Sequence, residues 1–112
     1  MTVHEMKLKR TPFTLIQNGQ KTVECRLYDE KRQKISLGDH ILFSLVDNPA
    51  ETLEVAVLGL LRYATFADMF HANRPQRFGG EDEASLTESL LQYYSLESQK
   101  ENGVLGIELR LL

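Results

Sequence analysis

Hydrophobic and polar residues alternate with a period of two in several stretches of the chain, and this alternation predicts strands. Over residues 22–28, Val23, Cys25 and Leu27 fall on one parity and Thr22, Glu24, Arg26 and Tyr28 on the other, the pattern of a half-buried strand with one polar face. The tight turn Leu37-Gly38-Asp39 leads into residues 40–46, where Ile41, Phe43 and Leu45 alternate inward. Residues 52–63 form the longest apolar stretch, with Leu53, Val55, Val57 and Leu61 on one parity and Gly59 marking a bend or bulge. This is the expected central strand. From Asn102-Gly103 the chain enters a last strand, in which Leu105, Ile107, Leu109 and Leu111 alternate with Gly106, Glu108 and Arg110.

Wider spacings predict short helices between these strands. Thr11-Pro12 followed by Phe13, Leu15 and Ile16 and closed by Gly19 has a cap, a first-position proline and a glycine stop. Thr65 caps a second helix, whose Phe66, Met69 and Phe70 share one face. Ser85-Leu86-Thr87-Glu88 reads as a capping box opening a third, with Leu90, Leu91 and Tyr94 inward. Residues 71–83 hold Pro75, Gly79 and Gly80 among charges and read as an irregular loop, and residues 95–100 as a further turn. The opening residues are mixed polar and apolar and carry no predicted element.

Strands at the start, middle and end around a few short helices predict an α+β fold whose sheet curls and closes, leaving no free edge. A length of 112 residues suits a single domain spanning 1–112, with no room for a second hydrophobic core. With 42% hydrophobic and 26% charged residues the composition is that of an ordinary globular protein, and no apolar run approaches the roughly 20 residues needed to span a bilayer. Cys25 is the single cysteine, so neither an internal disulfide nor a cysteine-based metal site can form within the chain. A reducing, cytoplasmic setting without membrane association is expected.

The net charge of −3 hides an asymmetry: residues 1–34 carry eight lysines and arginines against four acids, which is +4 and leaves −7 for the remainder. Such a basic stretch attracts phosphates locally, because charge interactions are screened within about 10 Å. The same distribution predicts weak binding to duplex DNA. His4, His40 and His71 lack metal-ligand spacing, and no metal or cofactor is expected. Cys25 reads as a buried thiol, while Tyr28, Tyr63 and Phe78 serve either as core or as faces on which bases stack.

Lys21, Glu24 and Arg26 are the strongest candidates for chemistry. They follow a glycine-ended helix at the mouth of a strand, where a rigid scaffold can converge side chains on a ligand. Arginine offers a planar fork for phosphate or a base edge, lysine a point charge, and glutamate an acceptor for an amine or a proton. As an exposed ion pair on a strand, Glu24 and Arg26 would instead contribute only about 0–1 kcal/mol and need no function.

The run Gly19-Gln20-Lys21-Thr22-Val23-Glu24-Cys25-Arg26, read as G-x-K-x-x-E-x-R, resembles the signature of the ASCH domain, a superfamily related to the PUA fold. Pro12-Phe13-Thr14-Leu15-Ile16, Ile35-Ser36-Leu37-Gly38-Asp39 and the Ile41-Leu42-Phe43 strand fall where that family places them. The resemblance implies a PUA-like, closed or nearly closed mixed β-barrel with flanking short helices, and a cleft suited to RNA or a modified nucleoside. The residues expected to bind the ligand are Lys21, Glu24, Arg26, Tyr28 and Asp82. The family also contains small amidohydrolases acting on N4-acetylcytidine, which this chain resembles in size and in Gly19 and Lys21. They carry threonine where this chain has Glu24, and use a glutamate from the loop before the late helix, where Glu81, Asp82 and Glu83 stand. Three readings follow: an RNA- or nucleoside-binding module, a hydrolase of a modified nucleoside or of RNA with Lys21 and Glu24 as its catalytic pair and Thr22 nearby, and a protein-interaction domain.

Overall fold

Each alternating stretch becomes a strand, and a further strand precedes them all. The computed structural model describes residues 1–112. In chain order the elements are β1 (Val3–Leu8), α1 (Arg10–Gln17), β2 (Val23–Leu27), β3 (His40–Leu45), β4 (Thr52–Tyr63), α2 (Phe66–Ala72), α3 (Glu83–Leu91), α4 (Leu96–Asn102) and β5 (Val104–Leu111). Short 3-10 turns occupy Arg32–Lys34 and Pro75–Phe78. None of the helices is long and apolar enough to cross a membrane.

The five strands form one curled sheet in the order β1-β3-β4-β5-β2, with β1 parallel to β3 and the other neighbours antiparallel. The expected closure does not occur. β1 and β2 are edges with no ladder between them, so the sheet is an open half-barrel. Side chains span the gap instead: Arg26 Nη2 donates to the Lys7 carbonyl at 2.7 Å and Lys31 Nζ to the Glu5 carbonyl at 2.7 Å. Long basic side chains thus occupy acceptors on an exposed edge and deny them to a further strand.

The bulge expected at Gly59 is present as a register shift between Val57 and Gly59, and it reverses the parity of β4. Before it, Val55 and Val57 enter a thirteen-residue core with Phe13, Phe43, Leu105 and Ile107; after it, Leu60 turns to that core while Leu61 and Tyr63 turn to the other side. There Val23, Cys25, Phe66, Met69, Phe70, Phe78 and Val104 form a second core beneath the helices. A Cβ at Gly106 would lie 3.1 Å from Met69 Sδ, so glycine lets α2 seat closely on the sheet.

Three helical expectations shift. The first helix starts at Arg10, with Lys9 as its cap, so Thr11-Pro12 lies inside the first turn. Asp82 caps α3 by accepting from the Ser85 amide at 2.7 Å; an ionised carboxylate one turn earlier displaces Ser85 from that role. The turn expected at residues 95–100 is α4, capped by Ser95.

Candidate functional site

In β2, Glu24 stands directly opposite Ile107 and Arg26 opposite Leu105, and residues opposite each other on paired strands share a face. Both are therefore turned toward the first core, whose Leu105 and Ile107 are 0% exposed. The face expected to be solvated is buried: the side chains of Lys21, Glu24 and Arg26 are 12%, 6% and 13% exposed.

The three form one cluster. Lys21 Nζ lies 2.8 Å from Glu24 Oε1, and Arg26 donates to Glu24 Oε2 from Nε at 3.0 Å and from Nη2 at 2.9 Å. Lys21 is held by its neighbours along its length. Its amide donates to the Leu15 carbonyl of α1 at 2.9 Å, and Gly79, at φ +79°, passes so close that a Cβ there would lie 3.3 Å from Lys21 Cβ. The Thr22 amide donates to the Arg77 carbonyl, which fixes the Pro75–Phe78 turn beside the start of β2.

Charge follows from this packing. Burial opposes the charged state of Lys21, but the Glu24 carboxylate outweighs it and raises the lysine above its ordinary value. Burial likewise works against ionised Glu24, and Lys21 and Arg26 together overcome it and hold the carboxyl below its ordinary value. The cluster is a charged triad carrying one uncompensated positive charge. Cys25 has no such support: burial pushes its thiol up to about 12, so it is no nucleophile at neutral pH.

The triad borders a solvent-open cavity of about 540 Å³ between the β1 and β2 edges, α1 and α3. Leu8, Lys9, Pro12 and Leu15 line one side, and Phe78, Leu86, Leu90 and Tyr94 another. At its border Lys9 Nζ donates to Tyr93 Oη at 3.1 Å and lies 4.6 Å from the Tyr93 ring centroid, tying the start of α1 to the end of α3. Burial raises the Tyr94 phenol above its usual range, so it remains a neutral donor.

Of the residues expected at a site, Lys21, Glu24 and Arg26 are brought together at this cavity, while Tyr28 and Asp82 lie outside its lining. Tyr28 packs on the first core under the Arg62 guanidinium, 3.8 Å from its ring centroid, and Asp82 caps α3. Glu81, Glu83 and Thr22 also lie outside the lining. Lys9, Tyr93 and Tyr94 line the cavity although the sequence did not place them there. The basic opening stretch was the signal for Lys9, and the Tyr93-Tyr94 pair, with Tyr94 against the core and Tyr93 exposed, the signal for the two tyrosines.

The chain is thus a mixed α+β domain, an open five-stranded half-barrel flanked by four helices, with a G-x-K-x-x-E-x-R motif beside a cleft. The chain belongs to the ASCH domain family, whose sequence profile it matches over residues 6–112. It is similar to the crystal structure of hypothetical protein PH0355, at 32% identity and a TM-score of 0.89, with 99% of this chain and 100% of that one covered. It is similar also to the solution structure of protein PF0455 from Pyrococcus furiosus, at 29% identity and a TM-score of 0.76, with 99% and 98% covered. A variant of the ASCH protein from Zymomonas mobilis shares the fold at 12% identity and a TM-score of 0.71, with 97% of this chain and 68% of that one covered. No curated protein matches the sequence.

Proposed function

We propose that the chain is an RNA- or modified-nucleoside-binding domain and that the cavity beside Lys21, Glu24 and Arg26 receives the ligand. One observation carries this reading: a buried, net-positive triad borders a cavity of about 540 Å³ whose lining also includes Phe78, Tyr93 and Tyr94. That volume lies in the range of roughly 300–1,000 Å³ typical of small-ligand sites, enough for a single base and sugar. Aromatic faces suit a base through stacking worth about 1–3 kcal/mol, and the triad supplies donors fixed in place by burial. A duplex cannot enter a pocket of this size, so the ligand is single-stranded or mononucleoside.

Binding is favoured over hydrolysis by the charge on Lys21. A general base must shed its proton near the working pH, whereas Glu24 holds this ammonium charged. Titration of the labelled protein with short single-stranded RNA and with nucleosides, followed by amide chemical shifts, tests the reading. Shifts centred on Lys21, Cys25, Arg26 and Tyr94 are expected, with duplex DNA of equal length competing weakly. Shifts centred on another face, or none with any of these ligands, would refute it.

A further inference from the structure

Resting on that nucleic-acid reading, we propose that the group seated against Lys21 and Arg26 is a phosphate, so that the cavity selects a phosphate-bearing nucleotide unit over a neutral nucleoside. The residues lining the cavity include four cations, Lys7, Lys9, Lys21 and Arg26, and one carboxylate, Glu24, a local net charge of +3 in a chain of net charge −3. Glu24 cannot balance them. Its Oε1 is taken by Lys21 and its Oε2 by Arg26, so it offsets one of the two buried cations and the second stays uncompensated.

Donor counting points the same way. A lysine ammonium has three N–H donors, and Glu24 is the one side-chain acceptor Lys21 meets within the chain. Arg26 spends Nε and Nη2 on Glu24 and on the Lys7 carbonyl, and its Nη1 has no partner. These unused donors are not buried without a partner, as Arg32 Nε alone is, so they are reached from the cavity and are free to turn to a ligand group that accepts several hydrogen bonds and carries negative charge. A phosphate does both, whereas a base or sugar oxygen supplies acceptors without charge. The aromatic lining, with Tyr93 held by Lys9, then leaves room for the attached base. A free nucleotide and an RNA chain present the same phosphate chemistry.

Calorimetric titration of the intact chain with uridine, its monophosphates, a short oligouridylate and inorganic phosphate separates these cases. The monophosphates are expected to bind at least about tenfold tighter than uridine at low salt, since hydrogen bonds to charged groups are the stronger ones. The log K of the oligouridylate should fall by about 0.7 per phosphate contacted as log salt rises, and that of the monophosphates should fall through ordinary screening. Lys21→Gln, which leaves Glu24 paired with Arg26, should abolish the advantage, and Arg26→Gln serves as a second variant if that one folds poorly. An oligouridylate binding tighter still marks RNA as the source, and affinity equal to that of a monophosphate marks a free nucleotide; both support the assignment. Uridine binding as tightly as its monophosphates, with no salt dependence, overturns the phosphate and leaves the nucleoside reading standing. Binding of inorganic phosphate without any nucleotide or RNA keeps the anion site and overturns the nucleic-acid reading, and binding of none of the probes overturns both.

Discussion

Two carboxylates in this fold are nearly alike in solvent exposure and opposite in what surrounds them. Glu24 is 4% exposed and Asp39 7%. Both are held below their ordinary pKa values, Asp39 at about 2. Asp39 is satisfied by fixed groups: His4 Nε2 donates at 2.8 Å, the Ser36 amide at 3.0 Å and the Thr2 amide at 3.1 Å. These bonds fasten the start of the chain to the turn before β3 and so set β1 alongside β3, with Val3 opposite His40. Glu24 is satisfied by two long cations that keep donors to spare and border a cavity. A depressed carboxyl is common to both places. What separates a candidate site from a structural anchor is the unused bonding capacity of the partners.

The sharpest way to break the comparison is to neutralise each carboxylate in turn. Glu24→Gln leaves Lys21 and Arg26 facing each other without a counter-charge, and stranding buried charge costs about 3–5 kcal/mol. For a chain of this length that lowers the melting temperature by roughly 12–20 °C. Replacing all three residues by apolar ones of similar volume should recover much of the loss, since a buried ion cluster contributes little net stability against well-packed hydrophobic side chains. Asp39→Asn should lower the melting temperature less, by a few degrees, because its single amide oxygen still accepts from the Ser36 amide, while the Thr2 amide at the start of the chain loses its acceptor. It should leave nucleotide affinity unchanged. Scanning calorimetry with parallel ligand titration reads both outcomes, and an Asp39→Asn loss larger than that of Glu24→Gln would invert the assignment.

Acidity distinguishes the regions next. A carboxyl with a lower pKa in the folded chain binds fewer protons folded than unfolded, so its stabilisation is complete above the unfolded value, about 4, and disappears as pH falls through the folded value. Asp39 therefore withdraws its contribution between about pH 4 and 2. Glu24 shares the acid limb. Lys21, raised in the folded chain, behaves in the opposite sense: its contribution is complete below the ordinary lysine value of about 10.4 and fades as pH rises through the folded value. Melting curves against pH should show Asp39→Asn flattening the acid limb and Lys21→Gln flattening the alkaline one. An alkaline limb identical in wild type and Lys21→Gln would remove Lys21 from the buried triad.

The sequence yielded what depends on apolar periodicity and missed what depends on polar packing. The strands carrying Phe43, Val55 and Ile107 were readable because their inward residues are all apolar, and the Gly59 bulge because a glycine interrupts the longest strand. β1 was missed because Met6 and Leu8 alone are buried in it, too short an alternation to stand out beside His4, Glu5 and Lys7. α4 was missed for a different reason. Its buried residue is Gln99, whose Oε1 accepts from the Phe66 amide at 2.9 Å and whose Nε2 donates to the Tyr94 carbonyl at 3.1 Å, so the helix docks through hydrogen bonds rather than an apolar stripe. The triad's residues were legible from their motif, but not their burial. That follows from the β2–β5 register and from α1 and α3 flanking the β2 edge, neither of which local pattern contains.

The smallest effect expected is a difference between two glycines, one beside each carboxylate region. Gly38 adjoins Asp39 at φ +86° and Gly79 adjoins Lys21 at φ +79°, so alanine at either meets the same left-handed backbone penalty of about 1–2 kcal/mol. Their surroundings differ. A Cβ at Gly38 has nothing within 4 Å, whereas one at Gly79 lies 3.1 Å from Leu15 Cδ1 and 3.3 Å from Lys21 Cβ. Gly79→Ala must therefore press on the stem of Lys21 and shift its ammonium against Glu24, adding at most about 1 kcal/mol to the backbone cost. The two variants should lose similar stability, with Gly79→Ala slightly the worse, yet only Gly79→Ala should weaken nucleotide binding. Equal weakening by both would mean that backbone strain anywhere in the fold disturbs the cavity, and no weakening by Gly79→Ala would mean that Lys21 is not positioned through its stem.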